Sequence, residues 1–97
     1  MENNKLLSDF FAAISKDARI SSTHIGVFAA LLEYRNRCGL LNPIRVYSYE
    51  IMELAKISAS TTYHRCVRDL HKFGYIDYVA SFNSAVGSQI YFQVIRD

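Results

Sequence analysis

The sequence predicts one small α+β domain, mainly helical, with a β-hairpin at its carboxyl-terminal end. The chain has 97 residues, the size of one domain, and 51% of them are hydrophobic, which excludes a disordered chain. Apolar residues recur at helical spacing in four stretches before Gly74. Two stretches rich in aromatic and β-branched residues then follow between Tyr75 and Ile95 and predict the hairpin.

Composition excludes several other classes of protein. Eleven Lys and Arg against nine Asp and Glu give a net charge of +2, unlike a polycation or an acidic tail. The two cysteines, Cys38 and Cys66, are too few for a disulfide scaffold, so we expect a reduced, cytoplasmic setting. No apolar run approaches the roughly 20 residues that span a bilayer, and the amino-terminal stretch lacks a signal-peptide pattern. We therefore expect no membrane association.

The first predicted helix belongs to an amino-terminal arm, residues 1–20, and Asn3 or Asn4 is placed to cap it. Its apolar stripe consists of Leu6, Leu7, Phe10, Phe11 and Ile14. This stripe either packs on the rest of the domain or pairs two chains. The second alternative predicts a homodimer through Leu7, Phe10, Phe11 and Ile14.

The second helix is predicted to begin at Ser21–Thr23, whose hydroxyls can cap it, and to end before Gly39. Its inward residues are predicted to be Ile25, Phe28, Ala29 and Leu32, with Ala30 and Leu31 apolar on a second side. A short strand, Ile44–Tyr47, precedes a third helix that Ser48 is expected to cap. The inward residues of this third helix are predicted to be Ile51, Leu54 and Ala55.

The fourth helix is predicted from about Ser58 to Phe73, where Gly74 ends it. Its buried face is predicted to be Tyr63, Cys66, Val67, Leu70 and Phe73. The opposite face is polar and carries Thr61, Thr62, His64, Arg65, Arg68 and Lys72. Between Lys56 and Lys72 four basic residues accompany one acid, Asp69, so positive charge is concentrated on this helix.

Two short helices joined by a tight turn, the second longer and basic, make a helix-turn-helix. Such a helix fits the major groove of DNA, where Arg reaches guanine with two donors and Lys neutralises phosphates. Hydroxyls at its start can donate to phosphate oxygens. An ordinary solvated helix carries the same residue types, so the polar face alone does not decide between the two interpretations.

The stretch ISASTTYHRCVRDLHKFGYIDY resembles the recognition helix and following strand of winged helix-turn-helix domains. The matching residues are Ser60, Thr61, Thr62, Tyr63, Leu70, Gly74, Tyr75 and Ile76. The resemblance covers residues 22–95 and implies a three-helix core with a carboxyl-terminal hairpin, the wing, whose sheet the strand Ile44–Tyr47 joins. Residues 21–97 would form this domain. The same run is similar to small winged-helix proteins of bacterial mobile elements and of replication initiation.

The resemblance implies a dimeric bacterial transcriptional regulator that binds double-stranded DNA sequence-specifically through residues 58–73. One alternative is a replication or excision factor of a mobile element, and another is a winged helix used only for protein interaction. The implied DNA-binding residues are Lys56, Ser60, Thr61, Thr62, His64, Arg65, Arg68, Lys72, Asn83 and Ser84. We expect neither catalytic residues nor a metal or cofactor site, because no motif for one is present.

Two departures from the family pattern matter. Ala59 stands where many relatives have a capping Ser, so Ser58 is expected to cap the fourth helix. The wing loop, residues 81–88, contains no Lys or Arg, although wings that enter the minor groove commonly use a cation. In that loop Asn83, Ser84 and Ser88 could only hydrogen-bond phosphates, and Phe82 is expected to pack rather than to wedge between bases.

Several tyrosines lie in or beside the predicted strands: Tyr47, Tyr75, Tyr78 and Tyr91. Such residues could stack on bases, as in a single-strand binder. Packing of the sheet against the helices is the favoured expectation.

Overall fold

The computed structural model describes residues 2–83 and 86–93, and this part of the chain contains four helices and three strands. The helices are α1 (Asn3–Ile14), α2 (Ser22–Arg37), α3 (Ser48–Ala55) and α4 (Ser60–Lys72). The strands are β1 (Ile44–Val46), β2 (Ile76–Val79) and β3 (Ser88–Phe92). The mainly helical α+β class and the predicted order of elements are confirmed, whereas the expected continuation of the last strand to Ile95 lies outside the described residues. Within the described ranges, no helix has the length and apolar character needed to cross a membrane.

The three strands form one antiparallel sheet with β3 in the centre, in the order β1-β3-β2. Ile44 pairs with Ile90 and Ile76 pairs with Phe92, so the short strand after Pro43 joins the sheet of the hairpin. Asn42 extends this pairing, because its side chain donates to the carbonyl of Phe92 at 3.1 Å and accepts from the N–H of Phe92 at 2.9 Å. One face of the sheet lies on the helices and the other faces solvent.

The helix α2 lies at the centre of the core and contacts α1, α3 and α4. Ser21 caps it as predicted, since its hydroxyl accepts from the N–H of His24 at 3.4 Å. Gly39 follows its end, as predicted, and has a positive φ of 80°. The expected inward position of Ala29 is wrong, since Ala29 is exposed and Val27 is buried. Because α2 contacts three helices, its buried surface is broader than one stripe and includes positions that a single stripe does not.

The helix α1 packs on its own domain through Phe10. The Phe10 ring is fully buried, stacked on Phe28 with ring centroids 3.9 Å apart and edge-on to Tyr75. Of the four residues named for a dimer, Leu7 and Ile14 are half-buried against the core, and only Phe11 is exposed, at 48%. Internal packing therefore accounts for most of the stripe, and a homodimer through α1 stays a prediction that rests on Phe11.

The expected caps of three helices are wrong. Neither Asn3 nor Asn4 caps α1: Glu2 precedes it, and the Asn3 side chain donates instead to the carbonyl of Leu32. Tyr47 precedes α3 and Ala59 precedes α4, without a side-chain cap in either case, so neither Ser48 nor Ser58 caps a helix. Because Lys56 adopts a left-handed φ of 61° and Ala59 is extended, α4 begins two residues later than Ser58. Gly74 ends α4 as predicted, with a φ of 89°.

Candidate nucleic-acid interface

The helix α4 is amphipathic, and its buried face fixes the direction of its polar face. Tyr63, Cys66, Val67 and Leu70 are all buried, as the spacing predicted, and Phe73 is half-buried. This face contacts α2, α3 and β2. The opposite side of α4 therefore points away from the core along its whole length.

The predicted DNA-binding residues of α4 differ in exposure. Ser60, Thr61, Arg65, Arg68 and Lys72 are exposed, whereas Thr62 and His64 are half-buried. A shallow groove on the surface brings together Ser60, Thr61, His64, Arg65, Arg68 and Asp69. Thr62 and Lys72 do not line this groove, and Lys56 is exposed at the carboxyl end of α3.

The cations of this face are not neutralised by neighbouring acids. Arg65, Arg68 and Lys72 form no ion pair with any residue in 2–83 or 86–93. By contrast, Lys5, Arg19 and Arg37 each pair with a carboxylate of their own neighbourhood. The exposed cations of α4 are therefore available for a phosphate.

The one acid of α4, Asp69, is engaged by α2. Its carboxylate accepts a hydrogen bond from Nε2 of the buried His24 at 2.9 Å. The other ring nitrogen of His24, Nδ1, accepts from the backbone N–H of Ser21 at 3.0 Å, so the proton of the neutral ring lies on Nε2. Through His24, the cap of α2 is therefore linked to α4. The same contact gives the carboxylate of Asp69, which lies among the cations of α4, a hydrogen-bond partner.

The residues of the loop between β2 and β3 agree with expectation only in part. Phe82 is fully exposed, so the prediction that it packs is wrong. A tight turn holds it outward: the Ser81 hydroxyl donates to the carbonyl of Asn83 at 2.9 Å and accepts from the N–H of Asn83 at 3.1 Å. Asn83 itself is exposed, as a phosphate contact requires, and Ser84 lies outside the described residues.

The strand-associated tyrosines lie in three different environments. Tyr75 is buried, as the packing expectation requires, and its hydroxyl donates to Asp17, while Tyr91 lies partly exposed on the solvent face of the sheet. Burial raises the pKa of Tyr75 to about 12. Tyr47 and Tyr78 line a cleft between α3, α4 and the hairpin.

Two further tyrosines of that cleft, Tyr49 and Tyr63, were missed as candidate functional residues. Periodicity placed Tyr63 correctly on the buried face of α4. The spacing along one helix could not predict that its hydroxyl reaches a cleft formed with other elements. Tyr49 is the most exposed tyrosine of the cleft, and the close sequence spacing of Tyr47 and Tyr49 was the one available signal.

Two groups on α4 have structural roles. Burial raises the pKa of the Cys66 thiol, which keeps it protonated as a core residue. His71 accepts a hydrogen bond from the backbone N–H of Tyr78 at 3.0 Å and so ties the end of α4 to the edge strand β2.

Neither known protein families, nor curated proteins, nor solved structures give a match to this chain, so the function is argued from the interface itself.

Proposed function

We propose that the chain is a winged helix-turn-helix domain that binds double-stranded DNA sequence-specifically through α4 and regulates transcription. The order of elements supports this proposal, with α2, α3 and α4 as the three-helix core and α1 as an additional helix. The pairing of β1 with β3 supports it as well, because the resemblance implies that a small strand joins the sheet of the wing.

The observation that carries the proposal is the exposed stripe of α4, which consists of Thr61, Arg65, Arg68 and Lys72. Its cations lack ion pairs within the described residues, and the buried face of the helix packs on α2, α3 and β2. Arg65 lies in the first half of α4, where recognition helices contact base edges. Lys72 is the last residue of α4 and suits a phosphate contact, which adds affinity without reading sequence.

Selection on random duplex DNA, followed by titration of the selected duplex at increasing salt, tests the proposal. We expect enrichment of one short sequence and an affinity that falls steeply with salt, because each neutralised phosphate adds about one unit to the slope of log affinity against log salt. Lys16→Ala is the matched control, since it removes an exposed cation remote in sequence from α4. It should leave affinity for the duplex almost unchanged.

One observation favours a second candidate function, a winged helix used for protein interaction. The wing loop has no Lys or Arg, and it presents the fully exposed Phe82. Exposed aromatic side chains are enriched at the centres of protein interfaces. This candidate predicts no selection of a duplex sequence, and binding to a partner that salt does not weaken.

A further inference from the structure

A cleft of about 320 Å³ lies where β1, α3, α4 and the hairpin meet. Four of the seven tyrosines in the chain line it: Tyr47, Tyr49, Tyr63 and Tyr78. We call it the tyrosine cleft. Pockets for small ligands commonly measure about 300 to 1,000 Å³ and combine aromatic walls with a few polar groups, so this cleft has the size of a site for one small ring.

The Tyr63 hydroxyl is the unusual group of the tyrosine cleft. The residue is only 2% exposed, yet its hydroxyl forms no hydrogen bond with any residue in the described part of the chain. A buried tyrosine hydroxyl ordinarily finds a partner. Every fully buried side-chain oxygen or nitrogen of the described residues has a hydrogen-bond partner. Because the Tyr63 oxygen has no such partner, it is not fully buried and lies at the surface of the cleft. Burial also raises the pKa of this phenol, so it is protonated and can donate to a ligand.

The walls of the tyrosine cleft suit a planar ring. The rings of Tyr47 and Tyr49 lie 5.9 Å apart at 30° to each other, and Tyr49 is 68% exposed. His64 stands edge-on to Tyr63 at 5.1 Å. None of the lining residues in the described ranges is Lys, Arg, Asp or Glu, so the site favours a neutral ring over a charged one.

The tyrosine cleft also adjoins the basic groove of α4. His64 lines both the cleft and the groove that contains Arg65 and Arg68. A nucleic-acid strand bound along that groove would therefore pass the mouth of the cleft. A neutral heteroaromatic ring with an acceptor for the Tyr63 hydroxyl, beside a phosphate-binding surface, has the chemistry of a nucleobase.

We propose that the tyrosine cleft binds a single nucleobase, which accepts a hydrogen bond from the Tyr63 hydroxyl and stacks on the exposed ring of Tyr49. The base belongs either to a free nucleoside or to an unpaired nucleotide of a nucleic acid, and both sources offer the same ring chemistry. The second source rests on the proposed DNA-binding function, whereas the first does not.

Titration of the ¹⁵N-labelled full chain with adenosine, guanosine, cytidine and thymidine, followed by amide chemical shifts, tests the site. At least one nucleoside should shift the amides of Ser48, Tyr49, His64 and Tyr78 together. Tyr63→Phe removes only the unpartnered hydroxyl and should weaken this binding about tenfold without lowering the melting temperature. Tyr49→Ala removes an exposed stacking ring and should weaken it as well, whereas Tyr91→Phe, on the solvent face of the sheet, should not.

A second arm uses short single-stranded homopolymers of the same four bases. Shifts of the cleft amides with nucleosides identify the free source, and shifts that need the oligonucleotide identify the nucleic-acid source. The proposal is overturned if neither kind of probe shifts these amides, or if Tyr63→Phe binds as tightly as the wild type. Arg65→Ala should relax the duplex preference at one or two base pairs and leave the nucleoside titration unchanged, so failure of the DNA-binding proposal is distinguishable from failure of this one.

Discussion

The carboxylate of Asp17 joins the loop after α1 to the residue that precedes β2. Arg19 donates to it through Nε at 2.8 Å, and the Tyr75 hydroxyl donates to its other oxygen. The hydrogen bond from the Arg19 guanidinium holds the pKa of Asp17 well below its usual range, and the hydrogen bond from the Tyr75 hydroxyl contributes less to the same effect. A carboxyl group whose pKa is lower in the folded than in the unfolded chain stabilises the fold above its ordinary pKa.

We therefore expect Asp17→Asn to lower the melting temperature at neutral pH. The difference from wild type should shrink progressively as the pH falls below about 4, the ordinary pKa of Asp, because the unfolded wild-type chain then binds a proton that the folded chain does not. Thermal unfolding followed by circular dichroism at several pH values measures this difference. A difference that stays constant down to about pH 2 would contradict the assigned role of the carboxylate.

Contacts within one helix could be predicted from the sequence, whereas contacts between helices could not. The buried face of α4 was predictable, because Tyr63, Cys66 and Val67 follow the helical period. The pairing of Asn3 with Arg35 was not, since the two side chains are brought together by the packing of α1 on α2. The local pattern assigned Asn3 to the start of α1 as a cap, whereas the structure buries Arg35 and pairs it with Asn3 across the two helices.

At the scale of elements, substitutions at Gly74 and Gly26 should change the free energy of unfolding in opposite directions. Gly74 ends α4 with a φ of 89°, so Gly74→Val should lower the free energy of unfolding by about 1 kcal/mol or more. Gly26 lies inside α2 with open space where a Cβ would stand, so Gly26→Ala should raise it by about 0.5–1 kcal/mol. Urea denaturation of both variants measures the two changes, and equal effects would contradict the boundary placed at Gly74.

The two neighbouring phenylalanines of α1 separate packing from assembly. Phe10→Ala should destabilise the fold by about 3–5 kcal/mol, because its ring is fully buried between Phe28 and Tyr75. Phe11→Glu changes an exposed ring and should leave the circular dichroism spectrum intact. If α1 pairs two chains, sedimentation should show a wild-type dimer and a Phe11→Glu monomer. A wild-type chain that sediments as a monomer would contradict the prediction of a homodimer through α1.

The helix ends show why element boundaries were harder to predict than the elements themselves. Ser21 was identified correctly because its hydroxyl and the following His24 form a local cap. Between α3 and α4 the sequence offers Ser58 and Ser60 as caps, but α4 begins at Ser60 after Ala59, and no side chain caps it. The positive φ at Gly39 and Gly74 was predictable, since glycine adopts that conformation at little cost.

For the whole molecule, the fold sets the charge distribution that the proposed function needs. The central α2 engages the acid of α4 through His24, while the sheet and α2 together cover the apolar side of the same helix. The basic face was predictable from one stretch of sequence. The tyrosine cleft was not, because its walls come from β1, α3, α4 and the hairpin, which meet only in the folded chain.

The measurement that tests DNA reading by α4 most directly compares Arg65→Ala with Lys72→Ala on the selected duplex and on its single-base variants. Arg65→Ala should cost about 1–3 kcal/mol on the selected duplex and relax the preference at one or two base pairs. Lys72→Ala should weaken all duplexes about equally and lower the salt slope by about one unit. If both variants remain folded and bind every duplex as the wild type does, α4 is not a DNA-reading helix.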